Sequence, residues 1–205
     1  MNIIYEYKWY ILAIIIFTAL TVFVWAKAIT AVRRTAAGKR ALILRLDRYK
    51  YLRDTYLPLD DENIKNIPPQ DLADAVVVEM WQRLDGIKDT KKEIEEFEKF
   101  TLKQKYTYGI FYLCEYALGD GEKNGSLKSF FEQSTPETAK YACGALEAMG
   151  LDTAAGLMKK AIDAYDPENE EASLDMGEIE NLSRRLRAEL TDPDLKIKTG
   201  EYYKS

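Results

Sequence analysis

TPETAKYACGALEAMGLDTAAGLMKKAIDAY, residues 135–165, contains two helices with clear boundary signals. Thr135 with Pro136 is a typical N-cap followed by proline in the first helical turn, and Gly150 is a typical C-terminal stop. Asp152 is expected to cap the second helix, whose apolar residues recur at helical spacing. Two helices joined by so short a link pack side by side, so this stretch predicts part of a compact helical bundle.

Similar signals recur from residue 57 to residue 205. Thr90 and Thr101 each start the pattern Thr-x-x-Glu/Gln of a capping box, and Ser126 is expected to cap a helix over 127–133. Pro68-Pro69 precedes a predicted helix of about four turns. The last clear helix is expected from about Asp175 to Leu190, and Asp192-Pro193 is interpreted as its stop. No alternating run is long enough for a sheet, so the predicted class is all-α.

The net charge of −5 is unevenly distributed. Residues 1–26 are neutral, residues 27–56 carry +7, and residues 57–205 carry −12. This predicts a short N-terminus (1–8), an apolar segment (9–26), a basic neck (27–56) and an acidic helical domain (57–205). Such asymmetry indicates partners of opposite sign at the two ends of the chain.

Residues 9–26, WYILAIIIFTALTVFVWA, contain no charged residue. As a helix they would span about 27 Å, close to the thickness of a bilayer core. Trp9, Tyr10 and Trp25 stand at the two ends, as in an aromatic belt. The alternatives are a buried core helix and a cleaved signal peptide, but the charge follows the run instead of preceding it. The sequence predicts one transmembrane helix.

Basic residues indicate the orientation of this helix. Lys27, Arg33 and Arg34 follow it closely, whereas the preceding flank has only Glu6 and Lys8. The positive-inside rule then predicts an exported N-terminus and a cytoplasmic C-terminal domain. The expected location is the inner, cytoplasmic membrane of a bacterium, with the lipid bilayer as one partner.

The neck contains an amphipathic helix over 40–56. Its apolar residues recur at helical spacing and have arginines beside them. They are Leu42, Leu46, Tyr49, Leu52 and Tyr56. Either this stripe lies on the anionic leaflet, or it packs on the acidic domain. A third hypothesis makes the chain an accessory subunit that contacts a membrane complex through apolar helix faces. The sequence leaves homo-oligomerisation open.

Composition excludes most catalytic classes. The chain has no histidine, so it cannot contain a Ser-His-Asp or Cys-His pair or an HExxH zinc site. Its two cysteines, Cys114 and Cys143, lie in apolar helices and are interpreted as small buried residues that the cytoplasm keeps reduced. We therefore expect no catalytic, cofactor or metal residues, apart from the residual hypothesis of a hydrolase that uses carboxylates alone.

Residues 119–125, GDGEKNG, form a glycine-rich loop. The loop lacks the spacing of a P-loop, and Asp120 and Glu122 would repel phosphate. We expect a turn between helices in which Gly121 and Gly125 adopt positive φ.

A run without any basic residue covers 163–180. Its candidate binding residues are Asp166, Glu168, Glu170, Glu171, Asp175 and Glu178. Three interpretations stay open: a solvated loop and helix start, an anionic surface for a basic partner, and a calcium site. The calcium site lacks the DxDxDG pattern.

Residues 102–165 resemble the DNA-mimic-protein-like family, an all-helical group of bacterial domains of unknown function. The resemblance is carried by the turn Asn124-Gly125, by the pair Phe130-Phe131 and by the two helices of 135–165. The chain departs from the family pattern after the turn, where Ser126 and Leu127 replace a glycine and an aromatic residue. It departs again at Gln133-Ser134, where an asparagine is usual.

The resemblance implies a helical domain that acts by binding. In one described family type the acidic surface imitates nucleic-acid phosphate and occupies a DNA-binding protein. The combined expectation is a membrane-anchored, acidic helical module that binds a basic protein surface. It is not expected to be an enzyme or to bind nucleic acid directly.

Overall fold

The computed structural model describes residues 43–119, 125–165 and 176–205, and within these ranges it contains helices and no strand. The predicted all-α class is therefore confirmed for the described part of the chain. The helices are α1 (43–56), α2 (Asn63–Asn66), α3 (Pro69–Leu84), α4 (Thr90–Glu98), α5 (Leu102–Tyr112), α6 (Leu127–Gln133), α7 (Pro136–Ala148), α8 (Asp152–Ala164), α9 (Met176–Glu189) and α10 (Asp192–Lys204).

The chain divides into two units after Arg48. Residues 43–48 are the described part of the first unit, and Tyr49–Ser205 form the second, here called the body. The predicted membrane segment 9–26 lies outside the described residues. Among the helices that are described, none is long and apolar enough to cross a membrane.

Helix α3 is the central helix of the body. All seven residues from Leu72 to Val78 are buried, so the helix has neighbours on every side. Leu72 packs in a cluster with Ile67 and Phe100, and Val78 packs in another with Leu52. Leu72, Val76 and Met80 recur at helical spacing in the sequence, whereas the structure buries every residue in the middle of the helix.

The largest apolar cluster joins α5 to α10. Phe130, Leu146, Met158 and Leu186 are fully buried in it. Each comes from a different helix, α6, α7, α8 and α9, so the cluster ties the second half of the body together. Burying such a side chain stabilises the fold by about 1.5–3 kcal/mol.

Several predicted helix ends are confirmed. Thr101 forms a complete capping box with Gln104 at the start of α5. The hydroxyls of Ser126 and Thr135 accept from backbone N–H groups in the first turns of α6 and α7. Gly150 follows α7 with a φ of +70°, a conformation that favours glycine.

Two predicted caps are wrong. Helix α4 is capped by Asp89, whose carboxylate accepts from the N–H groups of Lys91 and Lys92, and Thr90 is already helical. Helix α8 begins at Asp152 itself, after Leu151, which provides no side-chain cap. In both cases the predicted residue lies one position inside the helix, where an acidic or hydroxyl side chain is also common.

The interpretation of Asp192-Pro193 as a stop is also wrong, because these residues begin α10. Thr191 caps this helix and accepts from the N–H of Asp194, and Pro193 occupies the first turn, where its missing N–H costs no hydrogen bond. Both α7 and α10 thus begin with a threonine cap and a proline in the first turn. At α10 this pattern comes directly after α9, so in the sequence it resembles the end of α9.

The helix that Thr101 caps changes its winding midway. Leu113–Leu118 form a π-helical turn that continues α5. The turn ends at Gly119, which has a φ of +77° and donates its N–H to the carbonyl of Cys114. Such turns are rare and displace the following side chains relative to a regular helix.

The apolar stripe of the neck is divided by the structure. Leu52 is fully buried, with the half-buried Tyr49 and Tyr56 beside it. Leu46 is 57% exposed, and Leu42 lies outside the described residues. Packing within the body therefore accounts for Leu52, whereas Leu46 belongs to the first unit and is largely exposed.

Candidate functional site

A groove of about 360 Å³ lies where the end of α9 meets the start of α10. Leu190 and Leu195 are buried at its base, and Ile197 is 38% exposed beside it. Leu151, the residue before α8, completes the apolar lining. The groove therefore offers an apolar floor that a side chain of another molecule could contact.

The rim of this groove is mainly acidic. Glu189, Asp194 and Glu201 line it and are exposed, and Lys198 is the one basic residue among the lining side chains. Asp194 is held in place because its carboxylate accepts from the hydroxyl of Thr191. An apolar floor with three carboxylates and one ammonium group favours a basic ligand with an apolar anchor.

A partly buried ion cluster joins α10 to α3. The ammonium of Lys196 lies 3.5 Å from a carboxylate oxygen of Asp74 and 3.5 Å from one of Asp192. Burial opposes the charged ammonium, but the two carboxylates outweigh it and raise the pKa of Lys196. The lysine therefore stays charged and acts as a tie between helices.

Neither cysteine has the environment of a nucleophile. Cys114 is buried next to the ion cluster, where burial and the neighbouring carboxylate of Asp192 raise the pKa of its thiol. Burial also raises the pKa of Cys143, whose thiol lies 3.7 Å from the carbonyl oxygen of Ala155. Both thiols are protonated, and the prediction that both cysteines are buried is confirmed.

The glycine-rich loop is closed at its base. Ser126 donates its N–H to the carbonyl of Tyr116 at 2.9 Å, and Arg187 donates to the carbonyl of Gly125 at 2.6 Å. A Cβ on Gly125 would lie 2.5 Å from the backbone N of Gly119. Lack of space, and not a positive φ, thus requires glycine at 125; it is Gly119 that has the positive φ.

The rest of the predicted turn lies outside the described residues, Asn124 and Gly121 included. Of the aromatic pair that follows, Phe130 is fully buried, and Phe131 stacks on Tyr165 with ring centroids 4.5 Å apart. Both rings belong to the core of the body.

The predicted acidic surface is described only at its end. Asp166, Glu168, Glu170, Glu171 and Asp175 lie outside the described residues, and Glu178 is exposed in the first turn of α9. The groove carboxylates were not singled out from the sequence, because α10 was not predicted. The cap signal Thr191-Asp192-Pro193-Asp194 could have revealed it.

A second groove, of about 340 Å³, is lined by Arg53, Leu57, Pro58, Glu79, Gln82 and Arg83. Burial raises the pKa of Glu79, although the N–H of Leu59 donates to its carboxylate. No second carboxylate lines this groove, so it does not offer the acid pair that a glycosidase needs. In the described part of the chain, no group of three or more potential ligands could hold a metal ion.

Residues 106–203 match the family model described as DMP19-like protein. This match, which supports a DMP19-like helical domain, begins within α5 and ends within α10, so it includes the acidic-rimmed groove and extends well beyond the segment 102–165 that carries the resemblance in sequence. No curated protein and no solved structure matches the chain.

Proposed function

We propose that the chain is a membrane-anchored binding protein whose acidic helical domain engages a basic surface on a partner protein. The observation that carries this proposal is the groove between α9 and α10, with its apolar floor and its rim of Glu189, Asp194 and Glu201. Opposite charges across an interface steer association and select partners, while buried apolar contacts supply most of the affinity.

The charge of the whole domain supports the same proposal. Residues 57–205 carry −12, so their summed field attracts basic surfaces over a distance of about one Debye length, roughly 8–10 Å at physiological salt. A surface that ordinarily binds nucleic acid is one basic partner of this kind. Nucleic acid itself would be repelled, because its phosphates carry the same sign as the groove rim.

The anchor is the second part of the proposal. The uncharged run 9–26 and the basic residues that follow it support an anchor that holds the domain at the cytoplasmic face of the inner membrane. Tethering raises the effective concentration of the domain for partners that also work at the membrane.

Charge removal at the groove tests the binding role. The full chain is purified in detergent with its bound proteins, as wild type and as Glu189→Gln/Glu201→Gln. The control Glu95→Gln/Glu137→Gln removes the same charge from exposed residues of α4 and α7, away from the groove. We expect the groove variant alone to lose its partner, by about tenfold or more, and added salt to weaken wild-type binding. Equal retention by both variants would contradict the proposal.

A further inference from the structure

Three large apolar side chains are exposed within four consecutive residues of α1. Ile43, Leu44 and Leu46 are 56%, 69% and 57% exposed. The other large apolar residues with similar exposure in the described chain are scattered over α1, α4, α5 and α10. Single exposed apolar residues are ordinary, whereas a local concentration of them indicates a contact surface.

The chain itself indicates what covers this surface. Only 16 residues, 27–42, separate Ile43 from the end of the uncharged run 9–26. Gly38 within that connection is a residue at which a helix can break and change direction. The apolar side chains are therefore tethered close to the membrane surface at which the run would end.

Charge favours the same occupant. Residues 27–56 carry +7, which suits the anionic headgroups of a cytoplasmic leaflet, where each nearby basic residue adds about 1 kcal/mol of attraction. Apolar side chains flanked by lysine and arginine are the composition of helices that lie in the membrane interface.

We propose that Ile43, Leu44 and Leu46 insert into the interface of an anionic lipid bilayer. This inference rests on the proposed membrane anchor and is independent of the acidic groove. The neck is then a second lipid contact that limits the movement of the domain relative to its anchor.

Lipid quenching of a fluorophore tests the insertion. The full chain is made as Leu44→Cys and, as a matched control, as Ile94→Cys, since Ile94 is 59% exposed on α4. Each variant is labelled with an environment-sensitive fluorophore that reacts with thiols. The wild-type chain is treated in the same way to measure background labelling, which should be low because its two cysteines are buried. The proteins are reconstituted in vesicles of phosphatidylcholine with or without phosphatidylglycerol, with a spin-labelled lipid as quencher.

We expect quenching at position 44 to exceed that at position 94 by about twofold or more, and to increase with phosphatidylglycerol. Adding Leu46→Glu should return position 44 to the level of the control, with an unchanged circular dichroism spectrum. Equal quenching at both positions overturns the inference. So does a label at 44 that is shielded from both lipid and aqueous iodide, since a protein surface or second copy would then cover it.

Carbonate extraction of the same vesicles tests the anchor separately. Release of the chain by carbonate would overturn the anchor and this inference with it, and it would leave the groove experiment unaffected. Retention of the chain with quenching at position 44 supports both.

Discussion

Two pairs of helices in the body approach each other closely, and in both a glycine makes the approach feasible. In α5 against α7, a Cβ on Gly109 would lie 2.5 Å from the backbone N of Ala142. In α10 against α3, a Cβ on Gly200 would overlap the carbonyl of Pro69. The first pair contributes Ile110 and Ala142 to the main apolar cluster, whereas the second contains the ion pair of Lys196 and Asp74. Close packing of helices thus does not depend on an apolar pattern on both of them.

The largest expected effect comes from filling these contacts. Gly200→Ala should lower the free energy of unfolding by about 3 kcal/mol or more, because the new methyl group meets backbone that cannot rotate away. Gly109→Ala should cost about 2–3 kcal/mol for the same reason. Guanidinium denaturation of the full chain in detergent, followed by near-ultraviolet circular dichroism, gives both values.

The two glycine variants also show which of the two helix interfaces the groove depends on. Loss of α10 alone would disrupt the acidic groove, which α9 and α10 share, so Gly200→Ala should release the basic partner before the remaining helices unfold. Equal stability of Gly200→Ala and wild type would contradict the close packing of α10 on α3.

The two pairs also differ in how well their helices could be predicted from the sequence. Helix α7 has a cap, a proline and apolar residues at helical spacing, so it was predicted with its correct ends. Helix α10 buries Leu195, Thr199 and Gly200, while Ile197 is partly exposed. Leu195 is the one large apolar side chain among these three buried residues, so no apolar stripe marked α10 as a helix.

The same limit applies to the candidate site. The acidic character of the domain was visible in the charge count, but the groove requires Leu151 and Glu201 to meet, and they are 50 residues apart in the chain. The different exposure of Leu46 and Leu52 could not be predicted either. Both leucines belong to one apolar stripe in the sequence, and only the packing of the folded chain shows that Leu52 is buried and Leu46 is exposed.

Removing the ion pair tests the polar interface. Asp74→Asn should lower the free energy of unfolding by about 1–3 kcal/mol, because Lys196 then loses one of the two carboxylates that pair with its partly buried charge. The double variant Asp74→Asn/Lys196→Met should recover part of this loss, since it removes the ammonium that has lost one of its two carboxylate partners. An unchanged stability of Asp74→Asn would contradict the role of the pair.

The same pair predicts a pH dependence. The pKa of Lys196 is raised above the ordinary lysine value of about 10.4, so the folded state holds its proton more tightly than the unfolded state does. Its stabilising contribution is complete below that value and is lost as the pH rises through the folded pKa. The stability of Lys196→Met should therefore fall less steeply above pH 10 than that of wild type, in denaturation at each pH.

The smallest expected effect uses a glycine that has free space around it. Gly156 lies in α8, and a Cβ there would meet nothing within 4 Å. Gly156→Ala should raise the free energy of unfolding by about 0.5–1 kcal/mol, because alanine loses less backbone entropy in a helix than glycine does. The same denaturation assay measures the gain. A loss of stability in Gly156→Ala would contradict this argument. It would mean that a Cβ is unfavourable at glycines of these helices even where there is free space, so the close contacts at Gly109 and Gly200 would not explain the effects expected there.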